Sequence, residues 1–242
     1  MDSLRKLLQT PKTKAQAFAL FVLPLLLAAP VANSSGNGSS NDATALRAFY
    51  TQWGVPRGTQ DSLIRELNSV GVVGSMLGGE NYSVDHRTSN GMSAEVRTYA
   101  DGSIKVFAIE VPTVVAPAAP GVVTALSSVT GCTQTSGSGW IHYSGCNVFV
   151  GDGVKDLGYK VTYEKYSAGY AKLISSSDPK ATCSWGTCTT PTRSLWRPQS
   201  TAAQQAVVKY HTVYTSYLGT QSEDMYLGFW LNRYGTYTLT TT

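Results

Sequence analysis

Residues 131–146 read GCTQTSGSGWIHYSGC, and residues 183–188 read CSWGTC. The first segment is two strand-forming runs around a Gly/Ser turn, and the second is a four-residue turn bracketed by cysteines. Alternation surrounds them. Tyr159, Val161 and Tyr163 face one way and Lys160, Thr162 and Glu164 the other, the period-two pattern of a sheet with one wet side. Val208, Tyr210, Thr212 and Tyr214 repeat it, as do Met225, Leu227, Phe229 and Leu231, and Tyr237 to Thr241 alternates Tyr or Leu with Thr. Strands at short intervals, with Gly, Ser, Asn and Asp at the corners, predict a mainly β body over 122–242, an antiparallel β-sandwich or meander. The one helical run competing with it is the weak Thr201 to Ala206.

Four cysteines allow three pairings. Cys183 and Cys188 enclose only SWGT and suit a stapled tight turn, which leaves Cys132 to pair with Cys146 across a Gly/Ser-rich turn. Closing that second loop adds ~3 kcal/mol in the chain-entropy account. A zinc site would use paired Cys-x-x-Cys knuckles, which these spacings lack, so neither a metal nor a cofactor is expected.

Ahead of this body, residues 42–111 read as a small helical and hairpin region. Asp42 is placed to cap a helix carrying Ala45, Leu46, Phe49, Tyr50 and Trp53 at helical spacing until Gly54. Thr59 can cap a second, with Leu63, Ile64 and Leu67 as its buried face and Gly71 as its stop. AEVRTYADGSIKVFAIEV, residues 94–111, is a hairpin turning at Asp101-Gly102, with one face buried and one partly wet. Pro112 to Pro120 reads as an extended connector over 112–121, and a boundary is expected there.

Earlier still, Arg5, Lys6, Lys12 and Lys14 precede the apolar run Ala17 to Ala32, the layout of a secretory signal peptide over 1–32. Those sixteen residues, broken by Pro24 and Pro30, fall short of the about 20 that span a bilayer. Residues 33–41, NSSGNGSSN, form a polar linker, and Asn33, Asn37 and Asn81 lie in Asn-x-Ser sequons. The expected product is extracellular and without a stable membrane anchor after cleavage. With 42% apolar and only 14% charged residues the chain can bury a core while carrying few charges. Its net charge of +4 comes mostly from the leader, so no nucleic-acid partner is implied.

The search for chemistry returns little. His86, His142 and His211 are isolated, with no HExxH spacing, no GxSxG elbow accompanies the many serines, and no glycine loop fits a phosphate. If an acid/base pair exists it centres on His142, with Asp152 and Asp156 a short way along the chain. Glu223 and Asp224 are neighbours in a strand and therefore point to opposite faces. No catalytic residue is assigned. What remains is aromatic: Trp140, Trp185, Trp196, Tyr210, Tyr214, Tyr226 and Trp230 either fill the core or form a platform for sugar rings or a protein. Trp185, Trp140, Tyr210, Tyr214, Tyr226 and Trp230 are the candidate binding residues, Trp185 foremost because the tight turn offers it little local cover.

YTQWGVPRGTQDSLIRELNSVGVVGSMLGGE, then RTYADGSIKVFAIEVP, then the Gly-Cys segment with GSGW and YSGC together resemble a family of secreted actinobacterial proteins of unassigned function. The similarity runs from about Thr44 to Cys188. It implies export and a helical front joined to a disulfide-stapled β domain, and it supplies no catalytic residue. The expected function is binding to a cell-envelope, carbohydrate or protein surface. A membrane-active toxin, suggested by the Thr/Tyr alternation of Val207 to Tyr217 and Met225 to Thr241, ranks next, and a hydrolase around His142 third.

Overall fold

The computed structural model describes residues 40–115, 131–218 and 221–241, all within one unit, Gly36–Thr242. The leader at 1–32, most of the 33–41 linker and most of the Pro/Ala connector lie outside the described residues. Helix α1 (Ser40–Gln52) buries Leu46 and Tyr50, and α2 (Arg57–Val70) buries Leu63, Ile64 and Leu67. Gly71 ends α2 at φ 82°, a left-handed conformation that glycine adopts without strain. Thr59 does not cap α2. Pro56 takes the cap position in extended conformation, and the helix starts three residues earlier than a Thr59 cap would have it. A single turn, α3 (Gly74–Leu77), follows.

The first sheet takes β1 (Tyr82–Ser89), β2 (Met92–Tyr99), β3 (Ile104–Glu110), β4 (Thr113–Val114), β5 (Thr133–Gly137), β6 (Trp140–Gly151), β7 (Lys155–Tyr166) and β8 (Tyr170–Cys183). Its path runs β1-β2-β3-β6-β7-β8, with β5 sharing with β3 the same edge of β6 and β4 lying parallel beside β5. The second sheet holds β9 (Gly186–Cys188), β10 (Thr192–Arg197), β11 (Ala206–Ser216), β12 (Ser222–Leu231) and β13 (Tyr237–Thr240), in the order β10-β11-β12-β13 with β9 also on β11. Among the described residues every pairing but β4–β5 is antiparallel. Residues 201–206 hold no helix. Thr201 closes a turn through its amide to Gln204 O at 2.7 Å, and β11 begins directly after it.

The two sheets form a sandwich whose inner face is the alternation visible in the sequence. Val161 and Tyr163 of β7 meet Leu227 and Phe229 of β12, with the Tyr163 and Phe229 rings 5.3 Å apart. The Tyr159 hydroxyl donates across the sheets to Val208 O at 3.1 Å and Leu227 O at 3.3 Å, so the one polar group on that ring is satisfied inside the core. Both disulfides, Cys132–Cys146 and Cys183–Cys188, are present.

The 112–121 stretch does not separate two bodies. β3 pairs with β6 over Val106–Gly151 to Ile109–Val148, placing the front hairpin in the same sheet as the cysteine segment. Hence β3 is buried on both faces rather than one: Val106 and Ala108 lie toward the helices, Phe107 and Ile109 toward the second sheet. Burying a ring such as Phe229, which is 0% exposed, contributes cavity-sensitive stability. Phe229→Ala is expected to lower the unfolding free energy by about 3–5 kcal/mol in denaturant titration.

Candidate functional site

Cross-strand partners share a sheet face. At the end of the first sheet away from the helices, Trp140 lies opposite Tyr166, and Tyr166 opposite Tyr170, so three aromatic side chains form a row across β6, β7 and β8. The Tyr166 and Tyr170 rings stack at 4.2 Å and 13°. Trp140 is 38% exposed, and Gly137 beside it leaves the space its ring occupies: a Cβ there would come within 2.5 Å of the indole. The next row of the same face is polar. His142 lies opposite Glu164, and Glu164 opposite Lys172.

These rows are joined by hydrogen bonds. His142 Nδ1 is 3.0 Å from Glu164 Oε1, and the Tyr166 hydroxyl donates to Glu164 Oε2. The Tyr166 hydroxyl first, and His142 after it, hold the Glu164 carboxylate below its usual range against the opposing effect of burial. The same bond pushes the Tyr166 hydroxyl up to about 12. A groove of about 450 Å³ opens from this row toward Tyr234, which is 66% exposed on the β12–β13 turn, with Lys165, Ser136 and Ser167 on its walls.

The sequence candidates divide. Trp140 stands in this row, and Tyr226 and Trp230 lie half-buried on the outer face of the second sheet, Tyr226 stacked on His211 at 4.6 Å and Trp230 Nε1 donating to Thr240 Oγ1 at 2.9 Å. Tyr210 and Tyr214 point inward and are buried, because their register matches Leu227 and Glu223 on the core side of β12. Trp185 is buried too, at 3% exposure. Its cover is α2, where Asn68 Oδ1 accepts from Trp185 Nε1 at 2.9 Å, a contact across 117 positions of sequence. These three side chains are core, and none is available to stack on a ligand. Trp196 packs half-buried against the core.

His142 has an acidic partner, but it is Glu164. Asp152 and Asp156 lie at the far end of the β6–β7 hairpin, in its turn. Sequence reading placed Glu164 on the wet side of β7 and missed Tyr166 and Tyr170. The signal for them was Tyr-Ser-Ala-Gly-Tyr at 166–170, a tight turn that sets two tyrosines opposite each other. Glu223 and Asp224 do point apart, Glu223 to Lys155 and Asp224 to His211 Nε2 at 2.7 Å.

A second concavity, about 540 Å³, lies between the end of α1 and the outer face of the first sheet. Phe49, Trp53, Met92, Ala108 and Phe149 wall it, and the half-buried Asp156 is part of its lining. Among the described residues no group of three or more His, Cys, Asp or Glu side chains gathers as a metal ion requires, and no helix is long and apolar enough to cross a membrane. No family model, no curated protein and no solved structure matches the chain.

Burial, and then the neighbouring Asp152 charge, push Asp156 up from the ordinary 3.8 to about 7. The folded value lies above the unfolded one, so the folded state holds an extra proton between them, and stability falls as pH rises from about 4 to about 7. The slope is at most ~1.4 kcal/mol per pH unit. Unfolding free energies measured at intervals from pH 4 to 8 should show this decline relative to Asp156→Asn, with the difference constant above pH 7.

Proposed function

We propose that this protein is a secreted, non-catalytic module that binds carbohydrate through the Trp140–Tyr166–Tyr170 row. The observation that carries the reading is the row itself: three aromatic rings on a wet sheet face, next to a row of hydrogen-bonding side chains. A pyranose presents an apolar C–H face and a rim of hydroxyls, so it pairs with rings for the first and with His142, Glu164 and Lys172 for the second. Aromatic rings on a monomer's surface cost hydration unless something covers them. Export is supported by the leader pattern and by two disulfides, which form and persist in oxidising compartments. A cell-wall or other envelope glycan is the natural target class for such a product.

A hydrolase centred on His142 is the second reading, favoured by its bond to Glu164 at 3.0 Å beside the same row. Carboxylate-oriented imidazoles serve as general bases. The membrane-active reading is weakened by the placement of β11 and β12, whose apolar sides, including Tyr214 and Leu227, are buried in the sandwich.

Retention of the oxidised protein on purified cell wall and on insoluble polysaccharides tests the leading reading. Trp140→Ala should weaken retention about tenfold, since an aromatic contact carries roughly 1 kcal/mol beyond its buried area, with the thermal unfolding midpoint unchanged. Equal retention by the variant, or none by the wild type, counts against it. Soluble fragments released by the wild type but not by His142→Ala would favour the hydrolase.

A further inference from the structure

Lys155 opens β7 with its side chain 2% exposed, the most deeply buried lysine of the described residues. Its ammonium contacts Glu223 Oε2 on β12 of the opposite sheet, lies 3.4 Å from Met76 O and sits over the Tyr214 ring at 5.7 Å. Asp152, 1% exposed, lines the same cavity of about 120 Å³ as Lys155 and Glu223. Its Oδ1 accepts from the Val154 and Lys155 amides at 2.9 Å each, while Oδ2 has no hydrogen-bond partner. Lys105 and Asp224 also line that cavity.

The Lys155 ammonium has lost nearly all its water, while Glu223, 32% exposed at its side chain, keeps part of its own, so the desolvation cost of the pair falls on the lysine and is offset mainly by this contact. Condensation to a neutral amide removes both charges. Fixed proximity supplies effective concentrations on the order of 10⁵ to 10⁸ M, enough to drive a step that does not occur between free side chains. We propose that Lys155 and Glu223 form an intramolecular amide that covalently ties the two sheets, with Asp152 as the proton relay. A proton passes from the ammonium to the carboxylate to give the neutral pair. Lys155 Nζ then attacks Glu223 Cδ, the Nζ–Cδ bond forms and one Cδ–O bond breaks. Asp152 Oδ2 takes the proton released by nitrogen and returns one to the departing hydroxyl, which leaves as water. No oxidant, reductant or co-reactant is consumed. Burial raises the Asp152 carboxyl above its usual range, against the opposing pull of Lys155.

The test is the intact mass of the full chain, denatured with its disulfides kept, followed by fragmentation of a protease digest. The expected result is a mass one water below that of the oxidised sequence and a branched peptide joining the Lys155 and Glu223 segments. Lys155→Met and Glu223→Ala should each restore the full mass, and Asp152→Asn should leave most of the chain unlinked. A wild-type chain of full mass overturns the proposal. So does a missing water that fragmentation places at Asp101-Gly102 or Asp152-Gly153, which marks a cyclic imide instead. Complete linkage in Asp152→Asn overturns the relay.

Discussion

The pairing of β3 with β6 is the constraint on which the rest of the molecule depends. It runs from Val106–Gly151 to Ile109–Val148 and puts a strand of the front hairpin against the longest strand of the cysteine segment. A strand in the middle of a sheet presents two faces, and here both are covered: the helices bury Val106 and Ala108, the second sheet lies beneath Phe107 and Ile109. Neither α1 nor α2 is long enough to hold itself in water, and the sheet gives each apolar stripe its complement. The chain therefore builds one core, with helices, sheet and sheet in three layers.

This layering decides where ligands have access. The helices cover the first sheet at the end where β6 turns into β7, and Gly153 at that turn approaches Leu46 and Phe49 so closely that a Cβ would lie 2.6 Å from each. At the opposite end the outer face stays open, and there the aromatic row and the His142–Glu164 pair stand. One sheet face thus serves as a packing surface at one end and as a binding surface at the other. The inner face takes a second set of aromatic side chains. Tyr159, Tyr163, Tyr210, Tyr214 and Phe229 meet there, with the Tyr159 and Tyr210 rings 4.6 Å apart.

Polar groups enter the interior at the same β6–β7 turn. Asp152 binds two backbone amides and Asp156 accepts from Gly153 N at 3.0 Å, so the carboxylates shape the turn while Lys155 reaches across to the second sheet. Ionisable groups this deep are costly unless paired or neutralised. They gather at a corner where the helical front and both sheets come together.

Period-two alternation was enough to assign β7, β11, β12 and β13, to sort the side chains of each into two faces, and to predict an antiparallel sandwich or meander, because each strand's alternation is fixed locally by the pleat. The Asp101-Gly102 hairpin and the two cysteine pairs were likewise local. β1 escaped notice because its side chains are mostly exposed and leave no alternating pattern. In β6 a bulge adds a residue between Tyr143 and Cys146, so His142 points outward while Cys146, Val148 and Val150 point inward, and simple alternation fails across it. Of the candidate site, the sequence offered Trp140 and His142 but not their neighbours, since Tyr166, Tyr170 and Glu164 join them only through register. Trp185 is the clearest case. Its turn holds nothing that could cover an indole, and Asn68, far away in the chain, does so. Local chemistry determined the strands, the turns and the staples. Which aromatic side chains became core and which remained surface was decided by contacts between distant segments, whose register no local pattern encodes.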